Sequence, residues 1–303
     1  ALQGQQAGHA GRMKPAPFTY HRAGSLAEAA EMAGSLNNAR LLSGGQSLMA
    51  MMNLRYVAVD HLIDLNPVAE IAGITIDGGR VTLGAMTRQR AVLEDDALAA
   101  CCPILREALG FVGHVQTRNR GTVGGSLAHL DPAAELPGLA ALLEAEITLT
   151  SQNGARRVAM ADYPLGYMTP DINPGEILTS VAFDLWPDGH GWDFREFAQR
   201  HGDFAMAGVG SLITLDANGR IARAAVVLIG VDDGPVRPTD VEAMMVGEVP
   251  SDALFAAAAA MVAARPMSGD ALVTESYRQH LSGVLLRRSL TSACARAMEA
   301  AHA

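Results

Sequence analysis

Cysteine is scarce: the 303 residues contain three, Cys101, Cys102 and Cys294. That number excludes a disulfide framework and a four-cysteine metal or iron–sulfur site on this chain. Positive charge is also short, 23 Lys and Arg against 32 Asp and Glu, and the formal net charge is −9. No basic run resembles a nucleic-acid arm, so a phosphate-backbone partner is disfavoured. No apolar run approaches the ~18–20 residues of a membrane-spanning helix. The opening ALQGQQAGHAGR lacks the charged-then-apolar order of a secretory signal. Met13 followed by KPAPF reads as the natural start, with residues 1–12 as a non-native leader, and the protein reads as soluble and cytoplasmic. The G-x-G-x-x-G and G-x-x-x-x-G-K-[ST] fingerprints are absent, so neither a Rossmann nor a P-loop phosphate cradle is supported. No repeat at solenoid spacing is present.

Apolar material, by contrast, is plentiful: 49% of residues are hydrophobic and 18% charged, enough for a sizeable core. The length suggests roughly two domains. Ser25 and Glu28 have capping-box spacing ahead of an Ala-rich helix. Short β-rich runs follow: ARLLSGG, HLIDLN, and AGITIDGGRVTLGA with Gly78-Gly79 as a hairpin turn. TRQRAVLED reads as helical, and DDALAACCPILREALGFVG fits a single helix. The segment from Gly121 reads as a glycine loop, then a helix from about Pro132, then a strand from about Glu146. GEILTSVAFDL is a further strand. Trp186-Pro187-Asp188-Gly189 is the best boundary, dividing residues 13–187 from 190–303. Beyond it, two β-rich runs are joined by Asp216-Ala217-Asn218-Gly219. Helices then close the chain, the last with Tyr277, Leu281, Val284 and Leu285 on one packing face. The order is α+β, then a small antiparallel sheet with helices.

Two stretches share one logic. RLLSGGQSLMAMM and GTVGGSLAHLDPAAELP each set a Gly-Gly pair before small hydroxyl or amide residues and an apolar run. Glycine pairs allow positive φ and close approach by another molecule. Successive N–H groups in such turns form an anion-binding concavity, helped by a helix starting just after. Ser47, Thr122 and Ser126 add hydroxyl donors. Two readings stay open on the residues alone: two structural turns, or two jaws around the diphosphate of a dinucleotide.

Five motifs in order, LLSGGQSLMAMMNLRYVAVDHLIDLN, RNRGTVGGSLAHLDPAAELP, NPGEILTSVAFDL, REFAQRHGDFAMAG and IGVDDGPVRPTDVEAMMVG, resemble the FAD-binding subunit of molybdenum hydroxylases. The type is the medium subunit of the carbon monoxide dehydrogenase group, related to the xanthine dehydrogenases, and the resemblance spans residues 13–303. It implies a two-subdomain FAD-binding domain of the p-cresol methylhydroxylase/vanillyl-alcohol oxidase type. A C-terminal domain of three antiparallel strands and a helical bundle follows. By resemblance, Leu41, Leu42, Ser43, Gly44, Gly45, Gln46, Ser47 and Leu48 form one FAD-holding loop, and Thr122, Val123, Gly124, Gly125 and Ser126 the other. Glu135 falls at an acidic cofactor contact, and Ile177 or Leu178 in a strand reaching the adenine or flavin. Arg195 matches a lysine near the flavin, and Phe204 an aromatic covering the ring. Tyr167-Met168-Thr169-Pro170 departs from the family's pattern.

The resemblance further implies non-covalent FAD, with molybdopterin on a large partner subunit and [2Fe–2S] clusters on a small one in a heterotrimer. This chain would then pass electrons from the clusters to an external acceptor. A self-contained FAD-dependent oxidase or dehydrogenase of the same fold, and a non-catalytic assembly scaffold, are the alternatives. His114, His129 and His201 read as satisfied or solvent-facing rather than as proton relays. Cys101-Cys102 and Met49, Met51 and Met52 read as core. Asp232-Asp233-Gly234-Pro235 reads as a turn, lacking the rest of a calcium loop.

Overall fold

The computed structural model describes residues 13–301; the leader expected over residues 1–12 lies outside the described residues. The first subdomain runs β1 (Thr19–Arg22), α1 (Leu26–Ser35), β2 (Ala39–Leu42), α2 (Leu48–Asn53) and β3 (His61–Asp64). Its three strands are parallel, in the order β1-β3-β2, and the helices make the crossovers that parallel pairing requires. Ser25 caps α1 by accepting from the Glu28 N–H at 3.2 Å. The Glu28 carboxylate reaches back one residue further than a strict box, to the Gly24 N–H at 2.7 Å. Met52 is buried beneath α2 with Met49 packed beside it, so these methionines fill core as expected.

The second subdomain contains β4 (Ile74–Asp77), β5 (Arg80–Gly84), α3 (Gln89–Glu94), α4 (Asp96–Cys101), α5 (Pro103–Leu109), α6 (Val115–Arg120), α7 (Val123–His129), α8 (Glu135–Leu142), β6 (Glu146–Ser151), β7 (Gly154–Ala159), the small hairpin β8 (Pro164–Gly166) and β9 (Thr169–Pro170), and β10 (Ile177–Asp184). Five strands form an antiparallel sheet in the order β4-β5-β10-β6-β7. Gly78 and Gly79 make its first turn, both at positive φ (56° and 79°), between paired Asp77 and Arg80. The single helix expected over residues 95–113 is two. Cys102 sits at φ −142°, ψ 67°, outside the helical region that a following proline disfavours, and Pro103 opens α5. The thiols behave as core: burial pushes Cys102, which lies in the main core cluster, up to about 12.

The C-terminal unit is an antiparallel sheet, β11 (Gly191–Ala198), β12 (Ala205–Leu215) and β13 (Ile221–Ile229), followed by α9 (Thr239–Met245), α10 (Asp252–Ala263) and α11 (Glu275–Ala301). The expected hairpin at Asp216–Gly219 is present, with Gly219 at φ 73°. Alternation along the strands serves two cores. Phe194, Leu212, Val227 and Ile229 join the core of the second subdomain, while Val209, Ile213, Val226 and Leu228 pack under the helices. Of the face expected on α11, Leu281 and Leu285 are buried, but Tyr277 stays exposed. Arg296 of α11 pairs with Glu107 of α5 at 2.8 Å and stacks over Trp192 at 4.8 Å, tying helix to subdomain. Among the described residues no helix is long and apolar enough to cross a membrane, and no group of three or more His, Cys, Asp or Glu could hold a metal.

Candidate cofactor site

The first glycine stretch leaves the C-terminal end of β2 and enters α2. Leu41 packs on the first-subdomain core, and Leu42 and Leu48 on the cluster around Met52, so all three anchor the loop. Between them, Gly45 adopts φ 72°, which favours glycine. Among the described residues, the N–H groups of Gly44, Gly45, Gln46 and Ser47 donate to no protein acceptor. Four successive free amides in a half-buried turn are a donor set suited to an anion.

The second stretch is tighter than the glycine loop expected. Gly124 and Gly125 lie within the first turn of α7, and the helix expected from Pro132 starts at Glu135. Thr122 is the N-cap, its Oγ1 accepting from the Gly125 N–H at 3.0 Å. Val123 is buried, its N–H bonded to Thr87, while Ser126 is half-buried. The two stretches touch. Ser43 Oγ and Thr122 Oγ1 are 2.5 Å apart, and a Cβ on Gly44 would stand 2.3 Å from the Arg120 carbonyl oxygen. On Gly124 it would stand 2.5 Å from Ala85 Cβ, and on Gly125 2.7 Å from Thr122 Oγ1. These three glycines are required first by the chain's own closeness, Gly44 where one loop presses on the other, Gly124 against Ala85 after β5 and Gly125 against its own N-cap.

Two residues outside either glycine stretch complete the contact. Arg88 donates from Nη1 to the Arg120 carbonyl and from Nη2 to Asn66 Oδ1, and Asn66 Nδ2 donates to the Ser43 carbonyl at 3.0 Å. Arg88 also forms a β-bridge with Thr122, and the Gln89 N–H donates to the Gly121 carbonyl at 2.9 Å. Asn66 closes the first of the five ordered motifs, just after a buried strand, with nothing there to mark this contact. Arg88 had no signal beyond opening a helical run.

The residue types and the free amides fit a diphosphate-bearing cofactor, and comparison with known proteins decides which. Residues 16–186 match the family of the FAD binding domain in molybdopterin dehydrogenase, and residues 192–293 the CO dehydrogenase flavoprotein C-terminal domain. The chain belongs to this family. It is 36% identical to the carbon monoxide dehydrogenase medium chain of Afipia carboxidovorans, over 94% of this chain and 99% of that one. It is 34% identical to the 6-hydroxypseudooxynicotine dehydrogenase complex subunit alpha of Paenarthrobacter nicotinovorans, over 94% and 97%. Among solved structures, quinoline 2-oxidoreductase from Pseudomonas putida 86 matches with a TM-score of 0.90 at 31% identity, over 94% of this chain and 99% of that chain. The chain is thus an oxidoreductase subunit with an FAD-binding domain.

Within this flavoprotein subunit the other candidate residues are dispersed. Ile177 and Leu178 are adjacent on β10, yet Ile177 fills the first-subdomain core and Leu178 the second, so they join the subdomains. Arg195 is held by Asp193, Nε to Oδ2 at 2.7 Å, and alternates with Phe194 and Glu196 along β11. Phe204 is 64% exposed immediately before β12. His114 and His201 meet edge-on near the surface, ring centroids 6.4 Å apart.

Glu135 opens α8 and is 9% exposed; burial pushes its carboxyl up to about 7. From β11, Glu196 is pushed up to about 8, by burial first and then by the charge of Glu135, and its Oε2 is buried without a partner. Sequence reasoning missed Glu196, because nothing in REFAQR shows that a carboxylate from the other domain awaits it. Between the ordinary 4.5 and these raised values the folded chain binds more protons than the unfolded one, so stability falls as pH rises from about 4.5 to about 8. E196Q is expected to flatten that fall and to melt several degrees above the parent at the alkaline end, with about 2–4 °C per kcal/mol for a chain of this size. Thermal melts from acid to alkaline pH check it; parallel curves for the two proteins would count against the pair.

Proposed function

We propose that this chain is the FAD-carrying electron-transfer subunit of a heterotrimeric molybdenum hydroxylase. It takes electrons from [2Fe–2S] clusters on a small subunit, supplied in turn by a large molybdopterin subunit, and hands them to an external acceptor. What carries the reading is the meeting of Ser43–Ser47 with Thr122–Ser126, free amides at their junction, inside a chain of the FAD-binding family. The cofactor is held non-covalently, with the diphosphate at that junction and Glu135, Arg195 and Phe204 assigned to its flanks. Bound FAD supplies one- and two-electron redox chemistry; the protein supplies position and electrostatics. Ser43, Thr122 and the amides of Gly44–Ser47 orient the diphosphate.

Two relatives at 36% and 34% identity are named for carbon monoxide and for 6-hydroxypseudooxynicotine. That divergence at nearly equal similarity supports placing substrate choice on the large subunit. The location is cytoplasmic. The test is purification of the chain. It should be yellow, acid precipitation should release all the flavin as FAD, and co-expression should recover large and small subunits. A folded but colourless chain sinks the proposal, whereas turnover of a small substrate with a dye and no partner chain would favour the self-contained oxidase.

A further inference from the structure

We infer that Arg88 is the positioning cation of the cofactor site, a fixed positive charge against which the diphosphate is held and a strut that keeps the two glycine loops at the spacing it needs. The inference rests on the FAD reading above.

Arg88 spans the junction. Its guanidinium reaches the second loop through the Arg120 carbonyl and the first through Asn66, whose amide holds the Ser43 carbonyl. Both acceptors are neutral, and the carboxylate that acts on the guanidinium, Asp64, makes no ion pair with it but lies behind Asn66, whose Nδ2 donates to Asp64 Oδ1. Four other half-buried arginines are neutralised, Arg156 by Asp171 and Glu176, Arg195 by Asp193, Arg237 by Glu242 and Arg296 by Glu107, whereas Arg118, like Arg88, donates to main-chain carbonyls. Among the described residues Arg88 has no such ion pair. Instead the structure brings it close to Arg120, and burial, followed by the Arg120 charge, lowers its pKa, with Asp64 a smaller opposing influence. Two like charges beside one turn repel, and a half-buried cation with no directly paired counter-ion is costly. An anion at the adjoining free amides of Gly44–Ser47 would relieve both. The planar fork of arginine also explains the residue type, because lysine presents a point charge and cannot hold two acceptors in one plane.

Charge and strut separate experimentally. Kd values for FAD, ADP and riboflavin are measured on the parent, R88M and R88K, at about 0.02 M and about 0.5 M salt, where screening differs widely. R88M is expected to weaken FAD and ADP roughly 10- to 100-fold at low salt and to lose most of the salt dependence, leaving riboflavin, which has no phosphate, within about threefold. R88K is expected to restore the salt dependence but not the full affinity. Equal losses for riboflavin and FAD, or an unchanged salt dependence in R88M, would overturn the charge role. If R88M does not fold, R88K decides alone: a parent-like salt dependence supports the inference, and a lost one ends it. A parent chain that binds no FAD would instead sink the proposed function.

Discussion

G44V is expected to strip FAD from a chain that still folds. Any β-carbon at Gly44 meets the Arg120 carbonyl oxygen at 2.3 Å and the Gly121 Cα at 2.8 Å, both main-chain atoms that cannot swing aside. The first loop must therefore lift away from the second. The Ser43–Thr122 contact breaks, and the Asn66 bridge from Arg88 no longer reaches its carbonyl. A displacement of about 1 Å in a preorganised site is worth roughly 100-fold, so the flavin-to-protein ratio after gel filtration should approach zero. The folding cost is that of local overpacking, about 1–3 kcal/mol, because the contact lies beside the main cores. Gly34 provides the control: its Cβ would meet only Gln152 side-chain atoms, at 3.5 Å, and G34A should keep its flavin. Stoichiometric FAD in G44V would place the cofactor elsewhere. Loss of partner assembly with FAD retained would point to the scaffold alternative.

The second large effect is on stability. Gly191, the first residue of β11, lies directly under α11, where a Cβ would fall 1.7 Å from the Ala293 carbonyl oxygen and 2.8 Å from the Ala297 N. No unusual φ is involved; the constraint is space alone. In G191V the helix must move off the sheet, but it is pinned nearby. Ser289 and Ser211 share a buried 2.6 Å hydrogen bond, Ser289 Oγ donates to the Asp193 carbonyl at 3.3 Å, and Arg296 is clamped by Glu107 and the Trp192 carbonyl. Either those bonds break or the valine sits in a clash. The expected loss is at the top of the single-mutation range, about 4–5 kcal/mol, seen as early melting and as protease sensitivity near the C-terminal helices. A melting temperature within a degree or two of the parent would refute it.

Legibility of the fold tracked the range of the interactions involved. Ser25 capping, the Gly78-Gly79 turn and the Asp216–Gly219 turn between two β-rich runs depend on neighbours a few residues away, and each was present in the residue order. The break at Cys102-Pro103 was equally local, and the proline should have ended the helix there. Of the site, the two glycine stretches were visible, and the family followed from five ordered motifs rather than from either stretch alone.

What the residue order could not carry is which groups meet. Ser43 and Thr122 are 79 positions apart and touch because the parallel sheet of one subdomain and the antiparallel sheet of the other are joined through β10. The division of labour among the glycines follows from that contact, Gly45 serving a positive φ and Gly44 a close approach. Arg88 carried no motif and Asn66 only closed the first of the five; they matter because packing set one cation between two loops with no carboxylate paired directly to it. The Glu135 charge helps raise Glu196 because α8 packs on the sheet of the other domain. By itself the sequence determined the elements, their turns and the family, since backbone preference and side-chain period act locally. The tertiary structure alone decided the loop-to-loop clasp, the arginine without a directly paired carboxylate and the approach of the two carboxyls, since each depends on burial and distance between residues far apart in the chain.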